Sequence, residues 1–191
     1  MIFAYDFQML IRLDLPVFLV MTGLYENLQG LQDRNQLSSV SRIPRIHLAP
    51  LDSFLMADRY STVFNIGFEK ALSMANETNG YPFAFQVLGF LTWKYGDDPD
   101  LVNSEFKRYL SEYVYDKVWE NLSEGSQLFL YAIARAPDGK EKTAQKVFEG
   151  DNIFFQKHKR QMEENGIINV ERDHLEFKLP YFDKFLLKYY E

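Results

Sequence analysis

The chain contains no cysteine among its 191 residues. Disulfide bonds and zinc sites built from thiolate ligands are therefore excluded. The three histidines, His47, His158 and His174, are scattered without the spacing of a metal-binding motif. So few histidines also give no basis for a Ser-His-Asp arrangement. The composition argues against metalloenzyme and hydrolase functions, and the lack of cysteine fits a reducing, cytoplasmic environment.

Long apolar runs and an excess of basic residues are missing as well. The apolar run at residues 15–21 is far shorter than the roughly 20 residues that a transmembrane helix needs. No basic stretch precedes the apolar N-terminus, which argues against a signal peptide. The net charge of −6 provides no general field that would attract nucleic acid. The sequence therefore predicts a globular protein that does not span a membrane.

Hydrophobic periodicity divides the chain into segments of different character. Residues 2–13 have a helical pattern, residues 17–24 form an apolar run typical of a buried strand, and residues 42–51 form a shorter extended piece. This pattern is typical of the end of an α/β domain, which needs further strands or a partner to bury its own. Residues 51–112 have helical patterns throughout, with Asp52 as a helix start.

The C-terminal part has a different layout. Three helical patterns follow one another, with Ser123 as the predicted N-cap of the first and either Asp151 or Asn152 as that of the third. Apolar and polar residues then alternate on both sides of Arg172-Asp173, which predicts a β-hairpin, and an amphipathic helix closes the chain. Three helices followed by a two-stranded ribbon are typical of a winged helix-turn-helix. The predicted fold class is mainly α with small β content.

One stretch within the helical segment combines turn formers with a long apolar run. Residues 78–93 read TNGYPFAFQVLGFLTW, and Pro82 follows Gly80-Tyr81 at a position that suits the first turn of a helix. This Gly80-Tyr81-Pro82 elbow has two interpretations. It is a helix start fixed by proline, or it is a rigid turn that meets a ligand.

The order of these segments resembles the C-terminal part of STAND-type AAA-related ATPases. The segments that carry the resemblance are a strand ending in VMTGL, then RIPRIHLAPL, then NGYPFAFQVLG, and finally the three helices and the β-hairpin. The resemblance covers nearly the whole chain. It implies that residues 1–50 are the end of an α/β nucleotide-binding core. Residues 51–112 would then be a helical lid bundle, and residues 113–191 a winged-helix domain.

The resemblance also implies a set of nucleotide-binding residues. Thr22 would sense the γ-phosphate or the attacking water, and Arg42 would reach a phosphate. Gly80, Tyr81 and Pro82 would lie against the adenine or the ribose. Simpler structural roles remain open for each residue: a threonine bonded to a backbone carbonyl, a solvated loop arginine, and a helix start.

The chain departs from the family pattern because it has no phosphate loop. The pair Gly139-Lys140 has Ala134 where the first glycine should stand and Glu141 where the hydroxyl residue should stand. No apolar strand ends in the paired acids that would hold Mg²⁺. We therefore predict no catalytic residue and no cofactor for this chain alone. ATP and Mg²⁺ are expected only if a core segment supplies the phosphate loop.

Three basic residues in the predicted winged helix are candidates for contacts with DNA. Lys157, Lys159 and Arg160 belong to the third helix, which enters the major groove in DNA-binding members of this class. However, residues 113–191 contain 12 basic and 14 acidic side chains, so the segment lacks a basic excess. An upstream ATPase core or a partner protein is favoured over DNA, and homo-oligomerisation stays open. The alternative functions are a winged-helix DNA-binding regulator and a catalytically inactive adaptor.

Overall fold

A computed structural model describes residue 7 and residues 9–18, 20, 48–96, 98–148 and 150–189. The described chain is mainly helical and has one two-stranded antiparallel sheet, which confirms the mainly α fold class with small β content. The chain divides into two compact units, residues 1–47 and residues 48–191. No helix in the described ranges combines the length and apolarity needed to cross a bilayer.

In the first unit, residues 9–12 are helical, and Asp14 has a left-handed φ of 55° directly after them. This agrees with a predicted helix that ends before residue 14. The predicted strand at 17–24 is wrong in its described part, because Val17, Phe18 and Val20 lie outside any strand and are exposed. An apolar run is buried as a strand only where neighbouring strands cover it, and none pairs with these three residues in the described part. The other residues of that run lie outside the described residues.

Four helices form the first half of the second unit. They are α1 Ser53–Phe64, α2 Phe68–Asn76, α3 Pro82–Tyr95 and α4 Pro99–Leu110. Asp52 caps α1, since its carboxylate accepts hydrogen bonds from the N–H groups of Phe54 and Leu55. Asn65, with a left-handed φ of 51°, ends α1 and separates it from α2. The helices α1 and α2 pack against each other, and α3 packs against α4.

The chain stays helical beyond the end of α4. It continues through a π-helical turn, Ser111–Tyr115, into the short helix α5, Asp116–Glu120. The boundary expected at residue 112 lies inside this run. Tyr115 is buried, donates a hydrogen bond to the carbonyl of Pro180, and packs its ring 5.0 Å from that of Phe182. The run therefore belongs to the same core as the C-terminal elements.

The C-terminal elements follow the predicted order. They are α6 Glu124–Ala134, α7 Glu141–Val147, α8 Asn152–Glu164, β1 Ile168–Glu171, β2 His174–Phe177 and α9 Phe182–Tyr189. Ser123 caps α6, as predicted. Of the two candidates for the cap of α8, Asp151 is the cap and Asn152 is the first helical residue. In the antiparallel pair, Ile168 lies opposite Phe177 and Glu171 lies opposite His174. Arg172 and Asp173 therefore form the turn, and Arg172 has a left-handed φ of 58°. Lys140 adds an isolated antiparallel bridge to His174 and extends the ribbon by a third short segment.

Candidate functional site

The elbow at Gly80 is held against the chain that enters the first helix. The N–H of Leu51 donates a hydrogen bond of 2.8 Å to the carbonyl of Gly80. Gly80 is buried and has φ +69°, a conformation that glycine adopts readily. A Cβ at this position would lie 2.7 Å from both the Leu51 carbonyl oxygen and Pro50 Cβ. Only glycine allows the two backbone segments to approach this closely.

Tyr81 and Pro82 complete the elbow. The N–H of Tyr81 donates to the carbonyl of Thr78 at 2.8 Å, and Pro82 is the first residue of α3. The Tyr81 side chain is half-buried, and this burial raises the pKa of its hydroxyl. Pro82 remains exposed. The elbow is thus a rigid turn with one half-buried aromatic side chain and one exposed proline edge.

Tyr181 links the two ends of the second unit. Its hydroxyl donates to Glu77, just after α2, at 3.2 Å. Its ring lies edge-on to Phe106 of α4, with a centroid distance of 6.2 Å, and the ammonium groups of Lys107 and Lys184 lie 5.1 and 5.0 Å from it. Burial and the nearby Glu77 charge raise the pKa of Tyr181 to about 12. No sequence pattern indicates this junction, because Tyr181 and Glu77 are 104 positions apart.

The three basic residues of α8 do not form a common cationic surface. Lys159 makes an ion pair of 2.5 Å with Glu141 of α7, and the two side chains are only 15% and 18% exposed. Arg160 pairs with Glu164 one turn along α8 at 2.8 Å. The Lys157 ammonium lies 5.6 Å from the ring centroid of Phe154. The structure therefore brings each of these cations to a carboxylate or an aromatic ring of the chain itself.

The Lys159–Glu141 pair fastens α8 to α7. Burial would raise the pKa of the Glu141 carboxyl, but hydrogen bonds from Lys159 and Gln156 hold it below its usual value. Lys159 is therefore mostly buried and paired with a carboxylate of the neighbouring helix. Sequence spacing could not reveal this, since Lys159 and Glu141 belong to different helices and are 18 positions apart.

A buried histidine lies between α8 and α6. His158 is 4% exposed, and its Nδ1 lies 3.1 Å from the hydroxyl of Ser126. Its Nε2 has no hydrogen-bond partner among the described residues and faces Gly125, where a Cβ would lie only 2.7 Å away. Burial, assisted by the positive charge of Lys157, lowers the pKa of His158. The ring is therefore packed as a neutral side chain, since a charged ring would bury an unpaired N–H group.

We expect His158 to make the stability of the second unit depend on pH. Above its ordinary pKa of 6.5 the ring is neutral in both folded and unfolded chains. As the pH falls below 6.5, the unfolded chain takes up a proton that the folded chain resists, so stability falls by up to about 1.4 kcal/mol per pH unit. Urea unfolding at pH 7.5, 6.5 and 5.5, roughly one unit apart across this transition, measures the slope.

The variant His158→Gln isolates this effect, because its amide is neutral at every pH used. The variant should unfold more easily than the native chain at pH 7.5, since it packs less well between the rings. Its stability should nevertheless change less between pH 7.5 and about 5.5 than that of the native chain. Equal slopes for the two proteins would contradict the assignment.

Two of the residues predicted to bind nucleotide, Thr22 and Arg42, lie outside the described residues. Gly80, Tyr81 and Pro82 come together as the elbow, and Lys157, Lys159 and Arg160 share α8. In the described ranges, no three histidine, aspartate or glutamate side chains are grouped so that they could hold a metal ion. Comparison with known proteins finds no matching family model, no matching curated protein and no matching solved structure.

Proposed function

We propose that this chain is the lid and winged-helix region of an ATP-dependent switch protein of the STAND-type, AAA-related class. The observation that supports it is the contact between Gly80 and Leu51. These residues belong to the two lid-side motifs of the resemblance, IHLAPL and NGYPFAF, which are separated by about thirty positions in the sequence. In the structure the two motifs are joined by a backbone hydrogen bond from Leu51 to Gly80. Their backbones also lie so close together that only glycine fits at position 80.

A nucleotide bound by such a protein would meet the elbow with its base or ribose. Tyr81 and the exposed edge of Pro82 offer an aromatic and an apolar surface, and the turn beneath them is rigid because Gly80 is buried against Leu51. In this proposal Thr22 and Arg42 would reach the phosphates. The phosphate loop and the magnesium ligand must come from a core segment, because these 191 residues contain neither motif. The chain alone is therefore not competent for ATP hydrolysis.

The C-terminal module is proposed to act as a winged helix that contacts protein. The order α6, α7, α8 and hairpin, with the Lys140–His174 bridge as a third short segment, supports the winged-helix assignment. DNA contact through α8 is less favoured, because the ion pairs of Lys159 and Arg160 would compete with phosphate. The first turn of α8 also exposes the apolar side chain of Ile153 instead of a basic one. Nucleotide-driven closure of the lid would then reposition this module in the cytoplasm.

Calorimetry with ATP tests this proposal. The 191-residue chain should give no binding heat, because it lacks a phosphate loop. A protein expressed from the reading frame extended upstream of Met1 should contain that loop and bind ATP with Mg²⁺. In that longer protein, Tyr81→Ala should weaken ATP binding about tenfold, since stacking on an aromatic side chain contributes about 1–3 kcal/mol per base.

The matched control is Phe154→Ala, which removes a half-exposed aromatic side chain on α8 and should leave ATP affinity unchanged. Micromolar ATP binding by the 191-residue chain would contradict the proposal. So would an upstream reading frame that encodes no phosphate loop.

A further inference from the structure

Exposed aromatic side chains lie on α3 and on the helical run that begins with α4. On α3 the rings of Phe90 and Trp93 lie 6.5 Å apart, and Trp93 is 73% exposed. On α4 and the π-helical turn, Tyr109 and Tyr113 lie 5.4 Å apart. We call the set formed by Phe90, Trp93, Lys94, Tyr95, Glu105, Arg108, Tyr109, Glu112 and Tyr113 the aromatic face.

Charged side chains join the two rows of rings. The Lys94 ammonium lies 5.8 Å from the Phe90 ring centroid and 4.7 Å from that of Tyr95. The helices α3 and α4 pack against each other. A hydrogen bond to Tyr95, helped by the nearby Tyr109 and Glu105, raises the pKa of Lys94. The Arg108 guanidinium lies 5.1 Å from the Tyr109 ring centroid. The two pairs of rings, Phe90 with Trp93 and Tyr109 with Tyr113, therefore lie on neighbouring helical segments, and each pair has a cation beside it.

The charges of the aromatic face balance one another. Arg108 pairs with Glu105 at 2.7 Å and with Glu112 at 2.8 Å, and Lys94 supplies the second cation. Two cations and two carboxylates leave the face neutral, although the whole chain has a net charge of −6. Two copies of the chain repel each other over most of their surface, and this repulsion is smallest where the local charge is zero.

The composition of the face is that of a protein interface. Tryptophan, tyrosine and arginine are the residues most often responsible for binding energy at interfaces, whereas an exposed tryptophan has no structural role of its own. Phe90, Trp93 and Tyr113 are 45%, 73% and 53% exposed. At about 150–250 Å² per aromatic side chain, they present roughly 350 Å². That is close to half of the roughly 800 Å² that each partner contributes to a stable interface, and the neighbouring side chains can supply the rest.

We propose that the aromatic face is the contact surface for a second copy of this chain in a two-fold symmetric dimer. A two-fold contact brings the same patch of each copy together, so it needs a surface that complements itself. An aromatic centre with equal numbers of cations and carboxylates meets this requirement, whereas it offers no advantage to a strongly charged partner. The proposal goes beyond the ATP-dependent switch and does not depend on it.

Sedimentation velocity on the 191-residue chain tests the dimer. From about 1 µM to about 200 µM, a range that brackets a micromolar dissociation constant, the dimer fraction should rise with concentration. The variants Trp93→Ser and Tyr113→Ser should each raise the dissociation constant at least about tenfold. At concentrations where the native chain is monomeric, their thermal unfolding should match that of the native chain, because both side chains are largely exposed.

The control variant is Ile153→Ser, which removes an apolar side chain that is 82% exposed on α8. It should leave the dissociation constant unchanged. A chain that stays monomeric over the whole range would overturn the proposal. A dimer that neither face variant weakens, or that Ile153→Ser weakens as much as Trp93→Ser, would also overturn it.

Discussion

Replacing Gly80 with alanine is expected to lower the unfolding free energy of the 48–191 unit by about 2–4 kcal/mol. Two effects add at this position. An alanine at φ +69° adopts a left-handed conformation that L-residues disfavour, and its Cβ meets the Leu51 carbonyl oxygen and Pro50 at 2.7 Å. The contact atoms include backbone, so the strain is relieved only if the elbow moves away from Leu51. Urea unfolding monitored by circular dichroism measures the loss.

Gly166 provides the matched control for this substitution. It follows α8 with a similar φ of +72°, but nothing lies within 4 Å of its Cβ position. The variant Gly166→Ala should therefore lose only the free energy that a left-handed conformation costs an alanine, about 1–2 kcal/mol. The difference in unfolding free energy between the two variants measures the steric cost of placing a Cβ against Leu51 and Pro50. Equal losses would show that the elbow is not held against the chain at residue 51.

The elements that could be predicted from the sequence are those with local causes. Asp52, Ser123 and Asp151 cap helices because their side chains accept hydrogen bonds from N–H groups two or three positions ahead. The hairpin turn at Arg172-Asp173 was predictable for the same reason, since alternation on both sides fixes where the chain reverses. These signals need no knowledge of the tertiary structure.

Other features depend on contacts between distant residues and could not be predicted in this way. The three basic residues of α8 belong to the helix that contacts DNA in DNA-binding winged helices, yet Lys159 is directed to Glu141 on another helix. The helix α3 is apolar on all sides, so its periodicity did not indicate that Leu91 would be buried and Trp93 exposed. The apolar run at residues 17–24 predicted a strand, but its described residues, Val17, Phe18 and Val20, have no neighbouring strand, which periodicity cannot supply.

The elbow combines a feature with a local cause and a feature that depends on contacts between distant residues. Pro82 at the first position of α3 was predictable from local chemistry, and the structure confirms it. The burial of Gly80 against Pro50 and Leu51 was not predictable, because it depends on how α1 and α3 pack. A local turn signal thus identified the position of the elbow, while only the structure explains why its first residue is glycine.

Replacing Phe129 with alanine is expected to lower the unfolding free energy by about 3–5 kcal/mol, the largest loss among the variants considered. Phe129 of α6 is fully buried. Its ring centroid lies 6.3 Å from that of Phe148, 4.9 Å from that of Phe155 and 6.4 Å from that of His158. Alanine would leave a cavity among these rings. Phe54→Ala is the control, because Phe54 is 62% exposed and its loss should change stability by less than about 1 kcal/mol.

Hydrogen exchange on Phe129→Ala also tests whether the segment α1–α4 and the segment α6–α9 unfold together. The helical run from Pro99 to Glu120 has no break, and Tyr115 and Tyr181 connect it to α9 and to Glu77. We therefore expect the slowest amides of α1 and α3 to lose protection by the same free energy as those of α6 and α8. If α1 and α3 kept their protection, the two segments would be separate cooperative units.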